Sequence, residues 1–145
     1  MFRTVLVAAD SSETAARAVS TAAELVRALG GNLHIVTAYK PEPVRVDKLP
    51  NEFSTTRPDP ADVLLSDLRL AVENAGAKAE YHAAKGDPAE AIVRVADQIG
   101  ADLIVVGNKG MKGVRRVLGS VPNSVAHQAN CSVLIVDTVP KAEDW

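Results

Sequence analysis

The chain has 145 residues, the size of one ordinary domain, and a domain of this size needs no metal or disulfide for stability. Hydrophobic residues make up 47% of it and aromatic residues 3%, which predicts a core of Ala, Val, Leu and Ile, as in a parallel sheet covered by helices. The net charge of −2 argues against a nucleic-acid binder held by phosphate contacts. The single cysteine excludes an internal disulfide, and we find no signal peptide or membrane-length apolar run. We therefore expect a cytoplasmic protein that contacts neither membrane nor nucleic acid.

Strands and helices alternate in the first half of the chain. Residues 3–9 form the first predicted strand, and Asp10 with Glu13 fits a capping box for a helix that ends at Gly30-Gly31. Residues 33–39 form the second strand. Residues 40–60 contain five prolines and no hydrophobic period, which predicts a long connection over the carboxyl edge of the sheet. This connection could equally be a lid or a disordered excursion.

The second half continues the alternation. A helix is predicted from about residue 61, a strand at 79–84, a helix capped by Asp87 with Pro88 at its first position, and a strand at 102–107. A helix at 120–129 and a strand at 132–137 follow, and residues 139–145 form a polar tail. The pattern predicts one α/β domain over residues 1–138, with an open parallel five-stranded sheet and helices on both faces.

A glycine-rich basic loop joins the fourth strand to the last helix. Gly107, Gly110 and Gly113 alternate with lysines and arginines, and Gly119-Ser120 precedes the helix. Glycines let the backbone approach an oxyanion, and the helix N-terminus favours negative charge. The loop is neither a P-loop, since no Gly-Lys-Ser/Thr is correctly placed, nor a Rossmann fingerprint. The competing interpretation is a connection that only turns the chain.

These residues resemble the universal stress protein family. Gly107-Asn108-Lys109-Gly110 followed by Gly119-Ser120 is similar to that family's G-2x-G-9x-G-S/T nucleotide loop, with eight rather than nine residues before the last glycine. Asp10-Ser11-Ser12 resembles the family's D-G-S opening, and residues 131–136 resemble its closing strand. The resemblance covers residues 2 to about 138.

The resemblance implies an adenine nucleotide alpha hydrolase-like fold with strand order 3-2-1-4-5 and a site for ATP, with or without Mg²⁺. AMP and cyclic AMP fit the same pattern. In the family, apolar strand-end residues pack on adenine and an aspartate lies beside the nucleotide; here each could also be a plain strand end or a helix cap. The predicted nucleotide contacts are Ala9, Asp10, Ala38, Gly107, Asn108, Gly110, Lys112, Gly113, Gly119, Ser120 and Val121.

Other chemistry-bearing residues predict no catalytic or metal centre. His34, His82 and His127 lack metal-ligand spacing, and no cysteine or carboxylate cluster joins them along the chain. Cys131 is expected to be a packed residue rather than a nucleophile. No G-x-S-x-G elbow is present, so we do not expect covalent hydrolase chemistry.

Several functions stay open at this point. We expect a nucleotide-binding stress-response regulator that couples occupancy to assembly, and no constellation for fast phosphoryl transfer is visible. A slow ATPase using the same loop and a structural dimer module with an empty loop are the alternatives. A flavodoxin is disfavoured because no glycine follows the first strand, and a receiver domain because Ala84-Lys85 ends the third.

The last strand predicts the assembly. Residues 131–137 are apolar with no lysine or proline, so an exposed edge there invites pairing with another chain. We expect a two-fold homodimer through this strand, which the resemblance also implies. In the competing arrangement the tail from Thr138 to Trp145 folds back over the edge.

Overall fold

The computed structural model of the protein describes residues 2–10, 15–39, 60–108 and 120–138. Strands and helices alternate through these ranges as the hydrophobic pattern predicts. The strands are β1 (Thr4–Ala8), β2 (Asn32–Tyr39), β3 (Ala79–Lys85), β4 (Leu103–Gly107) and β5 (Ser132–Val136). The helices are α1 (Ala15–Leu29), α2 (Pro60–Asn74), α3 (Pro88–Ile99) and α4 (Val121–Gln128). The predicted elements are confirmed, and their ends move by one or two residues where both neighbours are described. Residues 11–14, which include Glu13 of the predicted capping box before α1, lie outside the described residues.

The five strands form one parallel sheet in the order β3-β2-β1-β4-β5, as the family resemblance implied. β1 lies in the centre and pairs with β2 on one side and β4 on the other. The chain runs from β1 toward one edge of the sheet, through β2 and β3, and later from β4 toward the other. Such a reversal opens a crevice at the carboxyl ends of the two central strands, where open α/β sheets bind their ligands.

Two apolar layers cover the sheet, one on each face. Alternate residues of each strand point to opposite faces, so Val5 and Val7 of β1 pack toward α1 and α2. Leu6, between them, belongs to the cluster that includes residues of α3 and α4. The central strands contribute fully buried branched residues to both layers, namely Val5, Leu6, Val7, Ile35, Val36, Ile104 and Val105. The predicted core of Ala, Val, Leu and Ile is therefore confirmed for the described elements, and Phe2 and Tyr81 pack against it partly buried.

The caps of α3 agree with the sequence prediction. The Asp87 carboxylate accepts the backbone N–H of Glu90, and Pro88 occupies the first turn, where a missing N–H costs little. Gly100 ends the helix with a φ of 67°, a left-handed conformation that favours glycine. These contacts involve residues close in sequence, so local composition suffices to predict them.

The two edges of the sheet are β3 and β5. In β5, Leu134 is 38% and Ile135 36% exposed, on opposite faces of the strand. The strand ends at Val136, one residue before the predicted Asp137. The single chain thus leaves apolar side chains exposed along this edge.

Candidate functional site

The crevice at the carboxyl ends of β1 and β4 gathers several of the predicted contacts. Ala9 follows β1 and is buried, and its N–H donates to the carbonyl of Val36 in β2 at 2.9 Å. Asp10 comes next and is exposed. Ala38 lies two residues beyond Val36 and is half-buried against the α3 face of the sheet. Ala9 belongs to the apolar layer under α1 and α2 and Ala38 to the layer under α3 and α4, so the two alanines lie on opposite faces of the sheet at its carboxyl edge.

Gly107 ends β4 at a position where any larger side chain would clash with Thr138 unless neighbouring atoms moved. A Cβ at this position would lie 2.9 Å from Cγ2 and 3.2 Å from Oγ1 of Thr138. Thr138 follows β5 and is almost fully buried. The glycine therefore serves close packing between the end of β4 and the residues after β5, which the sequence motif alone did not indicate.

Asn108 begins the glycine-rich loop, and its side chain is engaged with the chain after β5. Its Oδ1 accepts the Thr138 N–H at 2.9 Å and the Thr138 hydroxyl at 3.2 Å. Its Nδ2 donates to Oδ1 of Asp137 at 3.0 Å, and its backbone N–H donates to the carbonyl of Val136. These bonds hold Asn108 against the residues that follow β5. Sequence reasoning named Asn108 as a nucleotide contact and missed both Thr138 and Asp137.

Ser120 caps α4, as its position after Gly119 predicted. Its Oγ accepts the backbone N–H of Asn123 at 3.2 Å, and the residue is buried. A hydroxyl that accepts in this way keeps its own hydrogen for donation. Val121 is the first helical residue and is 38% exposed, and Pro122 is buried in the first turn. The N-terminus of α4 thus has a capped, preorganised backbone with partial positive charge.

The structure brings Ala9, Asp10, Ala38, Gly107 and Asn108 to the carboxyl edge of the sheet, and Ser120 and Val121 to the start of α4. The other four predicted contacts, Gly110, Lys112, Gly113 and Gly119, lie outside the described residues. The predicted connection at residues 40–59 and the tail at 139–145 also lie outside them.

Cys131 packs immediately before β5, against the α3 face of the sheet. Burial and the nearby carboxylates of Asp97 and Asp102 raise the pKa of its thiol, and a backbone hydrogen bond with Ile104 opposes them. A raised pKa keeps the thiol protonated at neutral pH, which lowers its reactivity. This agrees with the predicted packing role.

A second group of polar side chains lies partway along β2 and β3. His34 pairs in register with Glu80, and His82 follows two residues later on the same face. His34 Nδ1 lies 2.9 Å from His82 Nε2 and 3.5 Å from Glu80 Oε2. The spacing along the chain predicted no cluster of metal ligands, because 48 residues separate the two histidines. Parallel pairing of β2 with β3 brings them together.

Comparison with known proteins identifies the relatives of this chain. The model of the universal stress protein family matches residues 1–137. A universal stress protein of Mycobacterium tuberculosis is 41% identical over 143 residues, covering 94% of this chain and 97% of the relative. This chain belongs to the universal stress protein family. The family resemblance found in the glycine-rich loop is confirmed.

Solved universal stress proteins share the fold and include nucleotide complexes. One in complex with cAMP has a TM-score of 0.79 and 35% identity, covering 95% of this chain and 98% of its own. One from Archaeoglobus fulgidus in complex with dAMP has a TM-score of 0.69 and 27% identity, covering 94% of this chain and 98% of its own. Members similar to this chain therefore bind adenine nucleotides. Among the described residues, no helix is long and apolar enough to cross a membrane.

Proposed function

We propose that this universal stress protein binds an adenine nucleotide, with ATP as the expected ligand, and couples its occupancy to dimerisation or partner binding. The observation that supports the proposal best is the arrangement at the reversal of strand order. Small residues follow β1, the glycine-rich loop leaves β4, and a serine-capped helix begins after that loop. Related proteins hold cAMP and dAMP, which contain the same adenine, a pentose and phosphate.

Each part of the nucleotide has a chemically suitable partner in this proposal. Adenine lies over the carboxyl ends of β1 and β2, against side-chain or backbone atoms of Ala9 and Ala38, which pack toward opposite faces of the sheet. The Asp10 carboxylate accepts hydrogen bonds from the ribose hydroxyls or holds a water, with or without Mg²⁺. The phosphates lie at the N-terminus of α4, where the hydrogen of the Ser120 hydroxyl and the helix dipole favour anions.

The loop residues Gly110, Lys112, Gly113 and Gly119 complete the phosphate site in this proposal. Asn108 acts differently from the other contacts, because its amide is already bonded to Asp137 and Thr138. Its role is to aim the loop rather than to hold the ligand. Gly107 acts the same way through its packing against Thr138.

Cyclic AMP is the second candidate ligand, since the solved relative with 35% identity binds it. Calorimetric titrations with ATP, AMP and cAMP, each with and without Mg²⁺, rank these ligands. Mass analysis of small molecules released from freshly purified, denatured protein identifies any ligand that co-purifies. Turnover of ATP under the same conditions distinguishes slow hydrolysis from binding alone.

Ser120→Ala tests the phosphate site, because it removes the hydroxyl at the start of α4. We expect nucleotide affinity to fall about tenfold or more, since a hydrogen bond to a charged group contributes roughly 1.5–3 kcal/mol. The same change also removes a helix cap, which costs about 1 kcal/mol of stability. The control must therefore be a variant that removes a helix cap away from the proposed site, so that stability falls while nucleotide binding is retained.

Asp87→Ala provides that matched control. Asp87 caps α3, which follows β3, three strand positions or roughly 14 Å from β4. We expect a similar loss of stability and an affinity within about twofold of the wild type. If both variants lose affinity equally, or if Ser120→Ala binds as tightly as the wild type, the proposed phosphate site is wrong.

A further inference from the structure

The cluster formed by His34, Glu80 and His82 lies on the α3 face of the sheet, away from the proposed nucleotide site. His34 is four residues, or about 13 Å, before Ala38 along β2, and His82 pairs with Val36, about 7 Å before Ala38. His34 and Glu80 also line a surface cleft of about 460 Å³ at the amino ends of β2 and β3. The cluster is thus accessible from the opposite end of the strands.

The three side chains present ligand atoms of the types that zinc binds. His34 Nδ1, His82 Nε2 and one Glu80 oxygen all lie within 4.8 Å of one another, and no other group of this kind is found among the described residues. Two ligand atoms held 2.0–2.1 Å from a tetrahedral zinc are roughly 3.3–3.4 Å apart. The distances of 2.9 Å and 3.5 Å from His34 Nδ1 lie on either side of that value. Small side-chain rotations therefore suffice to place one ion among the three atoms.

The three side chains of this group differ in how far they are exposed to solvent. The His34 side chain is 13% exposed, whereas Glu80 is 76% exposed, so the histidine pair is fixed by the sheet and the carboxylate closes the site from solvent. Burial lowers the pKa of His34, and the neighbouring His82 also lowers it, while Glu80 raises it. A histidine that is neutral at physiological pH is ready to bind a metal.

We infer that His34, Glu80 and His82 bind one zinc ion, with a fourth coordination position open to water. Two imidazoles and one carboxylate with an open position are a known protein ligand set for Zn²⁺. Without metal, one of the two facing nitrogens carries a hydrogen and donates a hydrogen bond to the other. On binding, that proton moves to the other nitrogen of its ring, through solvent, and both facing nitrogens bind the metal. The bound ion links the edge strand β3 to β2.

The first test uses untagged, chelator-treated protein without nucleotide, since tags and phosphates bind metal themselves. We expect calorimetry with ZnCl₂ alone to give one Zn²⁺ per chain. We also expect the melting temperature to rise by about 5 °C or more when free zinc exceeds the dissociation constant 100-fold. With Co²⁺ in place of zinc, we expect visible absorption bands with the high intensity that is typical of tetrahedral coordination.

Variants separate the site from other metal ligands. Glu80→Gln changes one exposed group and should weaken zinc binding at least tenfold while leaving the metal-free melting temperature within about 1 °C, as expected for a surface substitution. His82→Gln should abolish the zinc-dependent rise in melting temperature. Glu90→Gln and His127→Gln are the matched controls, since both residues are exposed and lie on helices.

The metal-free melting temperature checks folding for every variant. Unchanged zinc stoichiometry and affinity in both Glu80→Gln and His82→Gln overturn the inference. If the wild type shows no saturable zinc binding, the inference is also wrong, and His34 and His82 only share a hydrogen bond. Neither result bears on nucleotide binding, which is measured separately.

Discussion

At the scale of single residues, Gly107 allows two distant parts of the chain, the end of β4 and the residue after β5, to pack closely. The space where its Cβ would stand is taken by Thr138, whose hydroxyl and N–H both bond to the amide oxygen of Asn108. Thr138 is β-branched and therefore stiff about χ1, and rotating it would break its hydroxyl bond to Asn108. The end of β4 and the residue after β5 are thus packed as one unit.

Gly107→Ala should destabilise the protein by about 1–3 kcal/mol, the usual cost of overpacking. Urea unfolding measures the loss. Thr138→Ser removes the Cγ2 atom that would lie closest, at 2.9 Å, so the double variant should recover part of the stability lost by Gly107→Ala. A Gly107→Ala protein as stable as the wild type would contradict the close packing.

At the scale of elements, β5 differs from the central strands. The central strands are buried on both faces, whereas β5 exposes Leu134 and Ile135 on opposite faces and has one unpaired edge. Thr138 packs against Gly107 and Asn108, so the chain immediately after β5 is held at the carboxyl end of β4. The exposed apolar edge supports our proposal of a two-fold dimer through this strand.

The dimer proposal predicts the effect of a charge at this edge. Ile135→Glu places two like charges close to the two-fold axis, and we expect the dissociation constant of the dimer to rise at least tenfold. Leu70→Glu is the matched control, because Leu70 is 57% exposed on α2, far from β5 in the topology. Sedimentation velocity at micromolar concentration gives the mass. A monomeric wild type, with and without ATP, would exclude the dimer.

At the scale of the whole molecule, the proposed nucleotide site and the dimer edge share β4 and β5. Gly107 ends the strand from which the loop departs and pairs with Val136 of the edge strand. Asn108 then bonds to Asp137 just beyond that edge strand. This chain of contacts is the physical route by which we propose that nucleotide occupancy and assembly are coupled.

Linkage makes the coupling testable, because it is reciprocal. The proposed dimer holds two ATP molecules, one in each chain, so a tightening of the dimer by saturating ATP is shared between two equal sites. Dimerisation must then tighten ATP binding at each site by the square root of that factor. We therefore expect the Ile135→Glu monomer to bind ATP more weakly than the wild-type dimer, by the square root of the factor that sedimentation measures for the effect of ATP. Equal affinities, together with an ATP effect on dimerisation, would violate linkage and point to two separate nucleotide sites. Equal affinities without such an effect would remove the regulatory coupling and leave the binding site intact.

Local sequence determined the elements and their ends. Hydrophobic periodicity placed the nine helices and strands of the described chain, and short-range contacts set the caps at Asp87 and Ser120. The glycine-rich loop and the adjoining motifs identified the family. These properties depend on residues within a few positions of one another, so they can be predicted without knowing which strands are neighbours.

Only the tertiary structure decided which distant residues meet. Thr138 lies 30 positions from Asn108, and His82 lies 48 positions from His34. Periodicity gives the face on which a strand residue points but neither its partner strand nor its register, because both depend on how the whole sheet packs. The packing of Gly107 against Thr138 depends on the pairing of β4 with β5. The cluster of His34, Glu80 and His82 depends on the pairing of β2 with β3. Neither could be predicted from the sequence without the strand order and register.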